Sequence, residues 1–334
     1  MFTKYYEKFK TFMKENGFFL CSLIAIIFFF HFELPYVVYT PGGAIDLSER
    51  VEVEGGYASS GSFSMAYVSM IKGNIPFVLL GLVLPNWDVV STKDIKPDNE
   101  SLDEMIQSDQ ISLIQSQNNA MYAAFSLAGK EIREISRTHH IVYLSEQAKT
   151  NLELFDEILT VDGQQIEDLD SIRTIISGYS IGESVPVVVR QDGKEETKYA
   201  EVYPTDDGGK IGVSITTTYE YETNPSVELT FKKSESGPSG GLMTALEIYN
   251  HLVEKDITGG KKIIGTGTIL QDGTVGAIGG VKYKLLGAIK KKADIFLVPE
   301  ENYEEALEVK KAEDSEIRII SVTTLQQAID EISK

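Results

Sequence analysis

The chain has 334 residues, 42% of them hydrophobic and 24% charged, with 31 Lys and Arg against 50 Asp and Glu and a formal net charge of −19. This composition excludes a largely disordered chain, and the length exceeds what one hydrophobic core usually serves. The acidity excludes a phosphate-binding surface of clustered Lys and Arg, while a single Cys (Cys21) and four His exclude a disulfide framework and a Cys-rich zinc site.

The charge is unevenly spread. Residues 1–16 carry a net +2 and residues 231–334 a net −2, so residues 17–230 hold the rest. After Lys4, Lys8, Lys10 and Lys14 comes an uncharged run, GFFLCSLIAIIFFF at 17–30. As a helix it covers about 21 Å of a bilayer core of roughly 30 Å. Apolar character continues through Phe32, Leu34, Tyr36, Val37 and Val38, and no small-residue cleavage site follows. These features predict an uncleaved membrane anchor rather than a signal peptide, with the basic N-terminus cytoplasmic and the remainder exported.

Pro41-Gly42-Gly43 marks the first turn. The stretches VEVEG, SFSMAYVSMI and FVLLGLVLP read as strands from their β-branched and aromatic content. A polar stretch, STKDIKPDNESLDEMIQSDQ, precedes a predicted helix, SQNNAMYAAFSLAG, ending at Gly129. From residue 130 to 203 strands alternate with one helix over 169–176, with tight turns at Asp162-Gly163 and Asp192-Gly193 and strands over 185–189 and 197–202. This segment resembles a bacterial PDZ domain through Ala148, Asp156, Ile158, Val161-Asp162-Gly163, Ile166, Arg190 and Gly193. It departs at Phe155, where the family has Gly, and in lacking a Gly-Leu-Gly-Phe-type loop ahead of Ile141. The resemblance implies capture of extended peptides by strand addition.

Beyond about residue 210 the pattern becomes α/β. A helix opened by Pro238 carries Leu242, Leu246, Tyr249 and Val253 at helical spacing. Strands over 263–270 and 274–278 flank Gln271-Asp272-Gly273; helix VKYKLLGAIKKKA, buried strand DIFLVP, helix EENYEEALEVKK, strand IRIISV and helix TTLQQAIDEISK follow. The chemistry concentrates in Gly237-Pro238-Ser239-Gly240-Gly241 and in Lys282 and Lys284. A Ser at a helix start meets free backbone N–H groups that can hold an oxyanion, and a Lys serves as its base when burial lowers its pKa toward neutrality. Helical spacing does not choose between the two lysines.

GPSGG, a long helix, GTGTIL-QDG-TVGAIGG-V-K-Y-K and FLVPEEN, in that order, resemble the proteolytic domain of the Lon family of Ser–Lys peptidases. The resemblance implies Ser239 as nucleophile, Lys284 as general base, Thr266 beside the lysine amine, and Gly237, Pro238 and Gly240 as supporting residues. Two departures stand: Ser236 replaces a frequent acidic residue, and Gly240 the usual Ala. Anchor, PDZ-like and Lon-type segments together resemble the membrane-anchored, PDZ-containing Lon-like proteases of Gram-positive bacteria. This implies a multidomain α+β chain: cytoplasmic stub and anchor at 1–34, a β-rich segment with a helix at 35–129, a PDZ-like domain at 130–203, and at 207–334 a proteolytic domain with the α/β fold of ribosomal protein S5 domain 2.

The implied function is ATP-independent cleavage of exported peptides or unfolded segments by a membrane-tethered serine endopeptidase, since no G-x-x-x-x-G-K-[ST] occurs in the sequence. No cofactor, metal or nucleic acid is implied; the partners are peptide or unfolded substrates and the lipid bilayer, and self-association stays open. The rival from another class is a tethered, non-catalytic peptide-binding adaptor. Two further patterns are set aside: Ser69…Lys72 lies in a strand-like stretch rather than on a helix, and adjacent His139-His140 do not readily share a metal. The acidity of residues 17–230 favours cationic peptides.

Overall fold

The computed structural model describes residues 2–95, 101–191, 193–206, 208–232 and 234–334. They form two compact units, Met1–Gly42 with Val68–Asp98, and Gly43–Tyr67 with Asn99–Lys334. Asp192 of the predicted Asp192-Gly193 turn and residues 96–100 of the polar stretch lie outside the described residues.

In the smaller unit, helix α1 (Phe2–His31) extends the 17–30 run at both ends. The apolar residues that follow are not part of it: strand Glu33–Asp46 starts there, burying Val37 and Val38 and pairing residues 36–39 antiparallel with Asp88–Ser91. The predicted strand FVLLGLVLP is a short helix, α2 (Ile75–Gly81). Asn74 caps it by accepting from the Phe77 N–H at 3.0 Å, and Pro76 falls in the first turn, where its missing N–H costs nothing. A short apolar run does not by itself distinguish strand from helix; the cap and the proline decide it here.

The larger unit holds two sheets. The first is parallel in the order Arg318–Val322, Ile295–Pro299, Lys262–Gly265 and residues 62–65 of strand Ser62–Asn74, with Ile263 opposite both Phe63 and Ile295. Buried on both faces, Ile295–Pro299 is apolar throughout, as parallel strands require. A strand from before residue 129 therefore belongs to the sheet of the C-terminal domain. So do its packing partners: Leu47, Val51, Phe63 and Ala120, Ala123, Ala124 and Phe125 of helix α3 (Leu102–Ala128) share one core with Leu242, Met243 and Leu246.

Helix α3 begins fourteen residues before the predicted SQNNAM start. Ser101 accepts from the Glu104 N–H at 3.1 Å and Glu104 returns the bond to the Ser101 N–H at 2.7 Å, a capping box inside what reads as a polar stretch. The helix stops at Gly129, φ +64°, as predicted.

The second sheet is antiparallel, in the order Val213–Asn224, Glu131–Leu144, Glu157–Val161, Ser184–Gln191, Lys194–Glu201. Helix α4 (Leu169–Ser177) closes its core with Ile172 and Ile176 against Ile141, Ile158 and Val187. Strand Val213–Asn224 pairs along Glu131–Leu144 and so crosses the boundary expected at 203–207. Its polar sequence, VSITTTYEYETN, carries no local mark of that partner. Asp162 and Gly163 both take positive φ in their two-residue turn, while Phe155, in the place of the expected Gly, is held at φ +72°.

Four helices complete the α/β part: α5 (Gly241–Leu252), α6 (Val281–Lys290), α7 (Tyr303–Ala312) and α8 (Leu325–Ile332). On one side of the parallel sheet α5 and α8 bury Leu246, Ile248, Ile329 and Ile332; on the other, α6 and α7 bury Val281, Leu285, Ala288 and Ala306 against Phe296 and Val298. The predicted strand over 263–270 breaks at Thr266-Gly267: Lys262–Gly265 stays in the parallel sheet, and Thr268–Ile269 pairs with Val275–Gly276 as a separate hairpin.

Candidate active site

Residues 237–241 form a tight turn leading into α5. Gly237 sits at φ +85°, a conformation that L side chains rarely adopt, and residues 238–240 wind one short 3-10 turn. This leaves Ser239 half-exposed at the head of a buried helix. Gly240 is buried, and a Cβ there would lie 2.6 Å from Met65 Sδ, so Met65 fills the space that the usual Ala methyl would take.

Every carbonyl of the turn between Pro238 and Gly240 is held from a different element. Pro238 O accepts from Ser116 Oγ at 2.8 Å. Ser239 O accepts from Thr266 Oγ1 at 3.0 Å and from the Gly267 N–H at 2.8 Å. Gly240 O accepts from Thr244 Oγ1 at 3.1 Å. The Gly237 N–H donates to Asp109 O at 2.8 Å. Upstream, the Glu235 carboxylate takes Nε and Nη2 of Arg50, the latter at 3.0 Å, with both side chains only 8% exposed. An acidic side chain thus stands one residue before Ser236, committed to an ion pair that fastens the approach to the turn.

The structure separates the two lysines. Lys284, on the first turn of α6 and 4% exposed, donates from Nζ to Thr266 Oγ1 at 3.2 Å. Thr266 is fully buried at the end of its strand, so its hydroxyl links the Lys284 amine to the Ser239 backbone. Burial pushes the Lys284 amine down to about 8, and no carboxylate is paired with it among the described residues. Lys282 is half-buried, with Nζ 5.3 Å from the centre of the Tyr283 ring.

The patterns set aside are not brought to this site. Ser69 and Lys72 lie on one extended strand, three residues apart, and so point to opposite faces. His139 meets Thr217 Oγ1 at 2.9 Å and His140 meets Thr218 Oγ1 at 3.1 Å, each in the antiparallel sheet. Among the described residues no three His, Cys, Asp or Glu side chains gather into a metal site. What sequence reasoning misses is the contribution of α3 and Arg50. Asp109 stands in the polar stretch, and Ser116 and Asn119 (which donates to Ile269 O at 2.9 Å) open the predicted helix, none of them in a motif.

With this geometry in place, comparison with known proteins bears on the same residues. Residues 232–333 match the Lon protease (S16) C-terminal proteolytic domain. The Lon-like part includes Ser239, Thr266 and Lys284. The Lon protease of Mesomycoplasma hyopneumoniae (strain 232) is 35% identical over 100 residues, covering 30% of this chain and 11% of that protein. The Lon protease of Neorickettsia sennetsu is 32% identical over 96 residues, covering 29% and 11%. The chain therefore spans about a tenth of the length of the curated relatives it matches. Among solved structures, the PDZ domain of an SdrC-like protein from Listeria monocytogenes is 16% identical, covers 23% of this chain and 85% of that domain, and has a TM-score of 0.22.

Proposed function

We propose that the protein is a serine endopeptidase in which Ser239 attacks the scissile carbonyl and Lys284 is the general base. The observation that carries this reading is the link from the buried Lys284 amine through Thr266 to the Ser239 turn. Thr266 has one hydroxyl proton and gives it to Ser239 O, so it accepts an N–H from Lys284. That contact orients the amine, and in the neutral form leaves its lone pair to take the Ser239 Oγ proton. The attacking oxygen bonds to the carbonyl carbon, and the developing oxyanion is met by the backbone N–H of Ser239, since Pro238 has none and that of Gly237 is taken by Asp109 O. The Lys284 ammonium then gives its proton to the leaving amine as the C–N bond breaks. Water, deprotonated by the same amine, releases the acyl group from Ser239.

Substrate delivery and location follow from other parts of the chain. Val213–Asn224 lies at one edge of the antiparallel sheet, which suits capture of an extended peptide by strand addition. Tyr5–His31 is long and apolar enough to cross a membrane, about 40 Å as a helix. Lys8, Lys10 and Lys14 near its start favour a cytoplasmic N-terminus, with catalysis outside and independent of ATP.

The test is cleavage of casein by the full chain reconstituted in lipid vesicles, with and without ATP. Ser239→Ala and Lys284→Ala should each abolish cleavage, and ATP should not change the rate. Persistent cleavage by Ser239→Ala would remove the assignment. A wild type that binds casein without cutting it would favour the adaptor.

A further inference from the structure

The Pro238–Ser239 peptide is held by a helix that precedes the Lon-like part by more than a hundred residues. Ser116 on α3 is 4% exposed, and its hydroxyl donates to Pro238 O at 2.8 Å. The contact is built on both sides. A Cβ at Gly241 would lie 2.5 Å from Ser116 Oγ, so the hydroxyl reaches the turn only because residue 241 has no side chain. Asn119 and the Asp109 carbonyl, on the same helix, bond Ile269 O and the Gly237 N–H, which fixes α3 against strand Thr268–Ile269 and the start of the turn.

A trans peptide is planar, with its C=O and N–H pointing in opposite directions. The Gly241 N–H closes the turn on the Pro238 carbonyl and the Ser116 hydroxyl adds a second bond from α3, so with that carbonyl held between them the Ser239 N–H points away from α3. At the head of a helix that N–H has no partner within the helix. We infer that Ser116 is a positioning residue for acyl transfer: with the Gly241 N–H that closes the turn, it fixes the peptide plane that aims the Ser239 N–H at the oxyanion. This rests on Ser239 being the nucleophile. It adds an element from outside the matched domain to the transition-state machinery, and gives α3 a role beyond packing.

The experiment compares the full-length wild type with Ser116→Ala and Ser116→Cys. Cys keeps the volume and a weaker donor, and so reports even if the alanine variant folds poorly. Loss of an oxyanion donor typically costs about a hundredfold or more in kcat, and misaiming one should cost about tenfold or more in Ser116→Ala. The cysteine variant should fall between the alanine variant and wild type. KM should hold, and the rising limb of the pH–rate profile should stay in place, because Lys284 is untouched. Affinity for a peptide aldehyde, whose adduct with Ser239 carries the oxyanion, should fall in step with kcat, while affinity for the corresponding peptide alcohol should not. Full activity in both Ser116 variants would overturn the inference. So would a loss confined to KM or a displaced pH limb, since Ser116 would then only hold the loop together. Activity lost in Ser239→Ala but intact in Ser116→Ala sinks this inference alone; activity intact in both sinks the nucleophile assignment with it.

Discussion

Lys284 has lost water and gained one neutral hydroxyl, Thr266, which leaves its charged form poorly compensated. The consequence for rate has a definite sign. As the proposed general base Lys284 must be unprotonated, so kcat/KM should rise with pH through about 8 and level off above it, read with a peptide lacking ionisable side chains. The consequence for stability follows from the same displacement. The amine titrates near 10.5 when exposed and about 8 when folded, so between those values the unfolded chain holds the extra proton. Stability is lost as pH falls from 10.5 to 8, and the full penalty stands below 8. Lys284→Met removes the penalty, so the inactive variant should melt higher than wild type at pH 7, by up to about 3 kcal/mol, and the gain should shrink toward pH 10. A variant that melts lower at pH 7 would contradict a strained, uncompensated amine.

At the scale of elements, what was legible in the sequence is what local pattern encodes. Helices α5 to α8 and the strand Ile295–Pro299 follow directly from apolar spacing and turn residues, and Ser239, with the Lys282–Lys284 pair, stands out at a glycine-flanked helix start. Helix α2 was hidden because seven apolar residues fit either period. The first half of α3 was hidden because its sequence, LDEMIQSDQISLIQ, reads as a polar stretch, and its capping box is the local sign of a helix start there; the roles of Ser116 and Asn119, within the predicted helix, depend on backbone carbonyls far along the chain. Helical spacing left Lys282 and Lys284 open and the resemblance favoured Lys284; burial of Lys284 supports that choice. The Ser101–Glu104 box was the available sign of where α3 starts, and it gives a test. Ser101→Ala should cost about 1 kcal/mol in denaturant unfolding, with kcat and KM unchanged if the far end of the helix keeps its place. A loss of kcat would mean that fraying at Ser101 reaches Ser116.

For the whole molecule, the expected divisions at 129 and 207 cut through shared structure. A fragment of residues 207–334 would lose Phe63 from its sheet, Ala120, Ala123, Ala124 and Phe125 from its core and Arg50 from Glu235, leaving a buried acid without its partner. Such a fragment should be unfolded by circular dichroism and show none of the casein cleavage expected of the full chain; a folded, active fragment would show the pairing to be dispensable. The same pairing bears on the order of assembly. Residues 62–65 wait for Lys262–Gly265, about two hundred positions later, and that strand in turn pairs with Ile295–Pro299. Contacts of such long sequence separation close late and slowly. As the chain emerges from its N-terminus, Ser116 and Met65 are made well before the turn they support, and Lys284 comes after Ser239. On the proposed assignment, the Ser239–Lys284 pair is therefore complete only once the last strands have closed.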